Sequence, residues 1–296
     1  MEKKCIFPKT AIIDLGSNSV RLMLTGQEYS KQSIVTRLGE GLSFTGLLSE
    51  ESMNRTLDAV LFFVNEAKKA GAQEIHIFGT QAMRAAKNAQ DYRQMILDKC
   101  GVNVEIIDGQ TEALCGFLGA AGSLPQNTLA AVIDIGGAST EITLGVPPQE
   151  IKYSKSVGIG TVALRDYYLK DNSKCADLIK NSLENYGKIS AQSYVGIGGT
   201  FCSLSAMIMG LKDYDSKKVD NSEINLEALE DLFQKIWPLD EEDILKDYGF
   251  LGKRARVIKF GALWTLELMK YNYIQKVIVS EKDNLEGYCI LKNIKF

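Results

Sequence analysis

The chain has 296 residues, of which 45% are hydrophobic and 24% are charged, and its formal net charge is −3. This composition is typical of a globular protein long enough for two domains, and it excludes a disordered chain or a broadly basic surface for nucleic acid. No apolar run approaches the roughly 20 residues that a membrane span requires. We therefore expect neither DNA nor a membrane as a partner.

The polar and sulfur-containing residues indicate the cellular location of the protein and limit the catalytic chemistry that it can perform. Pro8, Lys9 and Asp14 would interrupt the apolar core of a signal peptide, and the six cysteines are dispersed without a CxxC pair. We expect a cytoplasmic protein with reduced thiols. The single histidine, His76, cannot supply both a Ser-His-Asp triad and a zinc site, nor a histidine-aspartate metal cluster. Any hydrolytic chemistry must therefore depend on carboxylates.

The first half of the chain reads as three hairpin-connected strands followed by strands that alternate with helices. This order predicts a mixed sheet covered by helices. The predicted strands are 10–26 (two strands and their turn), 32–39, 74–78 and 104–107, and the predicted helices are 49–71, a segment after Thr80, 88–101 and 110–121.

The pattern then restarts, with a second hairpin, further strands and helices, and a charged insertion. The predicted strands are the hairpin 131–144, then 151–157, 194–197 and 276–280, and the predicted helices are 160–169, 177–186, 225–237, 253–271 and a last one from 283. We expect domains at 1–122 and 123–283, a helical insertion at about 210–250, and the C-terminal helix, 284–296, as a candidate addition to the first domain.

The two hairpins are copies of one another. Residues 11–24 align with 131–144 without gaps, which pairs Asp14 with Asp134, Gly16 with Gly136 and Ser19 with Ser139. At the same offset, Gly79-Thr80 matches Gly199-Thr200. The repeat predicts a duplicated domain with a ligand cleft between the copies.

The glycine turns of the hairpins predict phosphate binding, because successive backbone N–H groups can point at one anion. Arg84 follows the first glycine-threonine turn and is either a phosphate ligand or a solvated helix residue. Carboxylates at the strand ends would hold a hard cation such as Mg²⁺. The candidate phosphate ligands are Ser17, Asn18, Ser19, Arg84, Gly136, Gly137, Ser139 and Thr140, and the candidate metal ligands are Asp14, Asp134 and Glu141.

Glu112 begins a helix after a strand of the first copy, and two interpretations compete. It is either a first-turn carboxylate that stabilises the positive helix end or a general base that orients a water. The spacing alone favours the first interpretation.

Several motifs in order resemble the exopolyphosphatase and guanosine pentaphosphate phosphohydrolase (Ppx/GppA) family, within the superfamily of actin, sugar kinases and chaperone ATPases. They are DLGSNSVRL, GTQAMRAAKN, IDGQTEA, VIDIGGASTEI, GIGGT and KVIVSEKDNLEG, and they run from about residue 11 to 287. The resemblance implies an α/β fold of two actin-like, ribonuclease H-like domains, each a mixed five-stranded sheet flanked by helices, with the active site in the interdomain cleft. It implies the short form of the family, without a C-terminal helical extension.

The resemblance also implies an activity and its residues. It implies Mg²⁺-dependent release of terminal phosphate from inorganic polyphosphate or guanosine pentaphosphate. Glu112 stands at the position of the family's catalytic carboxylate, and Asp134 and Glu141 stand at the carboxylates of its DIGGGSTE motif. Asn18, Ser19 and Arg84 stand at phosphate-contacting positions.

The chain departs from the family pattern at Thr111, Ala85 and Ala138, and at Arg254-Ala255-Arg256 in place of an RAD-like motif. Two alternatives to hydrolysis stay open at this point. One is a sensor that binds guanosine tetraphosphate or pentaphosphate, or polyphosphate, without turnover, and the other is a small-molecule kinase of the same fold. The sequence also leaves a homodimer open.

Overall fold

Each of two units of the chain has its own sheet and hydrophobic core. The structure is a computed structural model that describes residues 9–26, 30–122, 124–137, 139–147 and 150–296. Unit 1 comprises Met1–Gly119 and Asn284–Phe296, and unit 2 comprises Ala120–Asp283. The division between the units follows Gly119, whereas the sequence predicts a boundary after residue 122. The C-terminal helix belongs to unit 1.

Unit 1 is built on a five-stranded mixed sheet in the order β3-β2-β1-β4-β5. Its first three strands are antiparallel hairpin partners, whereas β1, β4 and β5 are parallel. The strands are β1 (Thr10–Leu15), β2 (Ser19–Leu24), β3 (Ser30–Val35), β4 (Glu74–Gly79) and β5 (Val104–Ile106), and the helices are α1 (Leu42–Thr45), α2 (Glu50–Lys69), α3 (Gln81–Ala85), α4 (Ala89–Cys100), α5 (Gly109–Ala121) and, from the C-terminus, α13 (Asn284–Leu291).

Helix α2 forms where the sequence predicts it. Ser49 caps it by accepting a hydrogen bond from the Ser52 N–H, and Gly71 follows it with a left-handed φ of 78°. Helix α4 begins after Asn88 as predicted, but the Asn88 side chain accepts from the Leu48 N–H, at 2.9 Å, and does not cap the helix.

The two helices that cover the second face of this sheet, α5 and α13, approach one another closely at Gly287. A Cβ on Gly287 would lie 1.6 Å from the Cys115 carbonyl oxygen, so only glycine fits. On the same helix the fully buried Glu286 forms an ion pair with Lys31 at 2.6 Å. This ion pair fixes α13 to β3 of unit 1 and so holds the chain terminus beside α5.

Unit 2 has a six-stranded sheet in the order β10-β11-β9-β6-β7-β8. The strands are β6 (Ala130–Ile135), β7 (Thr140–Val146), β8 (Glu150–Val157), β9 (Ser193–Ile197), β10 (Glu223–Asn225) and β11 (Lys276–Ser280), and the helices are α6 (Thr161–Lys170), α7 (Cys175–Tyr186), α8 (Gly198–Ile208), α9 (Ser216–Val219), α10 (Leu226–Ile236), α11 (Glu241–Asp247) and α12 (Ala255–Tyr271). Helix α12 contributes many residues to the core of this unit, among them the completely buried Trp264.

The α/β class and the mixed sheets are confirmed, but the second sheet has one strand more than predicted. The extra strand, β10, lies in the insertion and pairs antiparallel with β11. It has three residues, of which only Ile224 is buried, so it is too short to produce an alternating pattern in the sequence.

Within the described ranges, none of the helices combines the length and the hydropathy needed to cross a bilayer.

Candidate active site

The loop between β1 and β2 is a tight turn fixed by backbone hydrogen bonds. The Gly16 N–H donates to the Ser19 carbonyl at 3.0 Å, and a Cβ on Gly16 would lie 3.0 Å from the same oxygen. Behind the turn, the Asn18 carbonyl accepts from the backbone N–H groups of Thr36 and Arg37. The turn is therefore rigid before any ligand binds, as an anion-binding loop requires.

The polar side chains of this loop differ in availability. Ser17 donates its hydroxyl to Gln81 Oε1 at 2.8 Å, so it is held toward α3. Asn18 is exposed and Ser19 is half-buried. Asn18 and Ser19 are the loop side chains best placed to meet a ligand.

Asp14, at the end of β1, is part of an ion pair. It is 1% exposed, and its Oδ2 accepts from Arg21 Nε at 3.1 Å and also from Arg21 Nη2. The two residues are directly opposite one another in the β1–β2 register. The Asp14 carboxylate is therefore neutralised by an arginine, and it fits a metal ligand less well than the sequence predicts.

Arg84 and Glu112, which lie far apart in the sequence, are joined by an ion pair. Arg84 Nη1 lies 2.6 Å from Glu112 Oε2 and donates to the Ile107 carbonyl at 3.0 Å. Both side chains are 26% exposed, so each is accessible and yet held in place. Arg84 is not a solvated helix residue, since it positions the Glu112 carboxylate at the start of α5.

A hydrogen-bonded cap that the sequence analysis missed begins α5. Asp108 Oδ1 accepts from the Thr111 N–H at 2.7 Å, and the Asp108 carbonyl accepts from the Glu112 N–H at 2.9 Å. Asp108 directly precedes the first residue of α5, and an aspartate at this position is an N-cap signature that the sequence already contains. The cap fixes the first turn and hence the direction of the Glu112 side chain.

Removing this cap should loosen the first turn of α5. The hydrogen bond from the Thr111 backbone, with the Arg84 charge as a smaller contribution, lowers the pKa of Asp108 below its usual range. The contribution of the Asp108 carboxylate is therefore complete above the usual aspartate pKa and is lost as the pH falls through the lowered value. We expect Asp108→Ala to speed amide hydrogen exchange at Thr111 by about tenfold at neutral pH, whereas Asp108→Asn keeps the acceptor and the protection. Equal exchange in Asp108→Ala and the parent chain would show that the cap does not hold this turn.

Cys115, one turn after Glu112, shows that two of the predicted carboxylates share one neighbourhood. Burial, together with the negative charges of Asp14 and Glu112, raises the pKa of the Cys115 thiol to about 12. The end of β1 and the start of α5 therefore lie together in unit 1. Arg84 and Arg21 supply positive charge to these same two carboxylates.

The loop between β6 and β7 in unit 2 repeats the geometry of the first loop. The Gly136 N–H donates to the Ser139 carbonyl at 2.9 Å, and the Thr200 hydroxyl donates to the Ile135 carbonyl at 2.7 Å. In unit 1, 120 positions earlier, the Thr80 hydroxyl donates to the Leu15 carbonyl in the same way. Gly137 is exposed and Ser139 is half-buried, and Ala138 lies outside the described residues.

The predicted role of Thr140 as a phosphate ligand requires a correction. Its side chain is completely buried, its hydroxyl donates to the Ile159 carbonyl at 2.6 Å, and it accepts from Trp264 Nε1 at 2.9 Å. The prediction that its hydroxyl holds a phosphate oxygen is wrong, because both hydrogen-bonding functions are used inside the core. Thr140 instead fastens β7 to α12.

The N-terminus of α6 is bound to the back of the second loop. The N–H groups of Thr161 and Val162 donate to the carbonyls of Gly136 and Gly137 at 3.0 and 2.8 Å. A Cβ on Gly160 would lie 2.6 Å from the Gly136 carbonyl oxygen, so the helix reaches the loop only with glycine at this position. Because both carbonyls are bonded to the first residues of α6, the helix fixes the orientation of the loop.

Because of this contact, we expect Gly160→Ala to destabilise the protein by about 1–3 kcal/mol, since the added methyl group must displace backbone atoms. Gly158→Ala is the matched control. A Cβ at Gly158 would meet nothing within 4 Å, and we expect a change within about 0.5 kcal/mol. Denaturant unfolding of the two variants measures the difference, and equal stabilities would contradict the contact.

Asp134 and Glu141 are directly opposite one another in the β6–β7 register, at the positions that correspond to Asp14 and Arg21. Glu141 accepts from Ser156 Oγ at 2.5 Å, and a Cβ on Gly198 would lie 2.5 Å from Asp134 Oδ1. Two like charges facing one another across a strand pair are unfavourable unless a cation lies near them. Among the described residues there is no group of three or more acidic, cysteine or histidine side chains that could enclose a metal.

This donor set fits Mg²⁺ and not a metal that needs a closed protein cage. Mg²⁺ is commonly held by one or two carboxylates, with waters and substrate phosphates as the remaining ligands. Asp134 and Glu141 provide such a pair.

Arg254, which the sequence analysis noted only as a departure from a motif, lies against the glycine turn of unit 2. A Cβ on Gly199 would lie 2.7 Å from Arg254 Nη2 and 2.8 Å from its Cζ, so the guanidinium covers the bare backbone of this glycine. Arg254 is exposed and therefore carries its charge to the surface of the turn. It is a further cationic candidate for binding phosphate.

Comparison with known proteins places this architecture among phosphatases. The model of the Ppx/GppA phosphatase family matches residues 26–292. A guanosine-5'-triphosphate,3'-diphosphate pyrophosphatase of Photobacterium profundum is 31% identical over 255 residues, 78% of this chain and 51% of that protein. Exopolyphosphatase 2 of Mycobacterium tuberculosis is 28% identical over 313 residues, 95% of this chain and 98% of that protein.

The chain spans about half the length of some of the curated relatives it matches, 46% in one case and 51% in another. A crystal structure of the Aquifex aeolicus Ppx/GppA phosphatase is 25% identical to the chain, covers 96% of it and 99% of its own chain, and has a TM-score of 0.84. This likeness confirms the expected fold of two actin-like domains.

Proposed function

This chain belongs to the Ppx/GppA phosphatase family, and from that premise we propose that it hydrolyses the terminal phosphoanhydride bond of inorganic polyphosphate or of guanosine pentaphosphate. The single observation that carries the proposal is the ion pair of Arg84 with Glu112 at the start of α5. It holds a carboxylate and a guanidinium together at a partly exposed position. These are the two groups that water attack on a phosphoryl group requires.

The names of the relatives support the choice of substrates. One is named a guanosine-5'-triphosphate,3'-diphosphate pyrophosphatase and another an exopolyphosphatase. Both names describe cleavage at the end of a phosphate chain. The proposed substrate class is therefore a linear phosphoanhydride with a free terminal phosphoryl group.

Glu112 is the proposed general base. In the free protein its Oε2 is occupied by Arg84, so the carboxylate is oriented and its charge is balanced. A terminal phosphate would compete for the guanidinium, because phosphate oxygens form paired charge-assisted hydrogen bonds with arginine. We propose that Arg84 moves from Glu112 to the phosphate, which frees Glu112 to orient the attacking water and accept its proton.

The glycine loops are the proposed phosphate-binding elements. Their exposed amides, together with the side chains of Asn18, Ser19 and Ser139, would bind phosphate oxygens. Ser17 would contribute through its backbone, since its hydroxyl is engaged with Gln81. Gly137 belongs to the same set in unit 2, whereas Gly136 shapes the turn, because its N–H already donates to the Ser139 carbonyl. Thr140 is excluded because its hydroxyl is used in the core.

Asp134 and Glu141 are the proposed Mg²⁺ ligands. The bound ion would supply charge neutralisation to the phosphate oxygens. Asp14 is proposed to act through Arg21, which it holds in place, and not as a direct ligand of the ion. We propose a cytoplasmic location, which the six dispersed cysteines of the sequence support.

A side-by-side assay tests the proposal. The protein is incubated with polyphosphate or guanosine pentaphosphate, with Mg²⁺ or with a chelator, and free phosphate is followed over time. We expect phosphate release from at least one substrate, and its loss with the chelator. Tight binding of both substrates without phosphate release would favour a sensor, and phosphate transfer to an added metabolite would favour a kinase. Either result would overturn the proposal.

A further inference from the structure

Unit 2 contains a pocket whose lining residues play no part in the proposed hydrolysis. Its volume is about 440 Å³, and it lies among α6, α7, the end of α10 and α12. The N-terminus of α6 contacts the Gly136 loop, whereas Tyr168, which lines the pocket, is near the other end of that helix. The volume is within the range of small-molecule sites, about 300–1,000 Å³.

The walls of the pocket are mainly aromatic and aliphatic. Tyr168 and Trp237 pack edge to face, with ring centroids 5.4 Å apart and an interplanar angle of 81°. Trp237 also packs edge to face on Phe260, at 5.7 Å. These contacts fix the indole ring. The other apolar residues of the lining are Cys175, Ala176, Ile179, Leu183, Leu263 and Tyr271.

Within this lining, Glu267 is a carboxylate without a partner in the part of the chain that the structure describes. It lies on α12, most of whose residues are buried, and its side chain is half-buried at the pocket wall. Among the described residues it has neither a hydrogen bond nor an ion pair. A half-buried carboxylate in an apolar wall is unfavourable without a cation.

The cations near the pocket are already engaged elsewhere. Lys180 is 71% exposed and lies 4.0 Å from Glu184, whereas Lys259 donates to the Leu239 carbonyl at 2.9 Å. Lys188 donates to the Tyr271 carbonyl. Lys180 also lines the pocket, but its ion pair is with Glu184, so a ligand can supply the cation that complements Glu267.

The aromatic walls also favour a cation. Lys188 Nζ lies 3.5 Å from the centroid of the Tyr271 ring, and Lys259 Nζ lies 5.7 Å from that of Trp237. Aromatic rings attract cations through their faces, and both rings belong to the pocket lining.

We propose that this pocket binds a small organic cation, an ammonium group on an apolar body. The ammonium forms an ion pair with Glu267, and the apolar body packs between Tyr168, Trp237 and Leu263. The occupant is a free small molecule, because the pocket has the volume of a ligand site and holds one uncompensated charge.

Titration with 2-phenylethylammonium tests this proposal, with 2-phenylethanol as its neutral counterpart of similar shape. Trp237 is one of two tryptophans, and the other, Trp264, is completely buried, so tryptophan fluorescence reports on the pocket and calorimetry gives the affinity. We expect saturable binding of the amine and at least tenfold weaker binding of the alcohol. Glu267→Gln should weaken amine binding at least tenfold and leave the alcohol unaffected.

Glu227→Gln is the matched control, since it removes an exposed carboxylate in the first turn of α10, outside the pocket lining, and it should leave both affinities unchanged. Thermal unfolding checks that each variant is folded, and phosphate release is expected to be equal in all of them. No saturable binding of the amine, or equal amine affinity in Glu267→Gln and the parent chain, would overturn the proposal. Neither result depends on the hydrolytic activity, so this inference and the proposed function fail separately.

Discussion

Glu112→Gln is expected to lower kcat for phosphate release by about 10²- to 10⁴-fold, the range for loss of a general base. Glutamine keeps the shape of the side chain and can still accept a hydrogen bond from Arg84, but it cannot accept a proton from water. KM should stay the same or fall, because Arg84 no longer has a charged partner that competes with the phosphate. Steady-state phosphate release measures both parameters.

Glu51→Gln is the control for this substitution, since Glu51 is a highly exposed carboxylate at the start of α2. It should leave kcat and KM unchanged. A Glu112→Gln variant that is folded and keeps kcat within a factor of about three would mean that another group accepts the proton.

Asp134→Asn is expected to raise the Mg²⁺ concentration for half-maximal activity by more than tenfold. The reason is the difference between the two copies of the hairpin. Asp14 faces Arg21 across its strand pair, whereas Asp134 faces Glu141. The second copy alone has two facing carboxylates that a divalent cation would stabilise. A Mg²⁺ titration of phosphate release measures the effect.

Asp14→Asn is the informative comparison for Asp134→Asn. It removes the charge of a buried carboxylate whose partner, Arg21, is 28% exposed, so it should lower the free energy of unfolding by about 1–3 kcal/mol and leave the Mg²⁺ requirement of the folded fraction unchanged. Glu184→Gln serves as a surface control. If the two aspartate variants shift the Mg²⁺ requirement equally, the assignment of the metal to unit 2 is wrong.

The internal repeat was the most informative feature of the sequence. It predicted that Gly16 and Gly136 begin equivalent turns, and in both cases the glycine N–H donates to a serine carbonyl three residues later. The glycine-threonine pairs likewise make equivalent bonds to the preceding strands. Such features are predictable because they depend on local backbone geometry, which the sequence pattern specifies directly.

Other features depend on contacts between distant residues and could not be predicted. Thr140 follows a glycine loop as a phosphate ligand would, but the alternation of β7 directs its side chain into the core toward Trp264. The approach of α6 to its loop depends on Gly160, whose neighbours are 23 and 24 positions earlier in the chain. The ion pair of Arg84 with Glu112 required the strands and helices of unit 1 to be assembled.

The alignment of the two hairpins already pairs Arg21 with Glu141, but its meaning was not apparent. Only the strand register shows that each residue lies opposite the aspartate of its own hairpin. Equivalent positions in the two copies therefore carry opposite charges, and the copies have different proposed roles. The aspartate of the first hairpin holds an arginine, and the aspartate of the second is proposed to hold a metal.

Single-turnover hydrolysis in water enriched in oxygen-18 tests the central claim most directly. If a water oriented by Glu112 attacks the terminal phosphoryl group, the released phosphate carries one solvent oxygen and the remaining chain carries none. The rate of this step should fall by at least about 10²-fold in Glu112→Gln. Unlabelled released phosphate, label in the remaining chain, or an unchanged rate in the variant would contradict the mechanism.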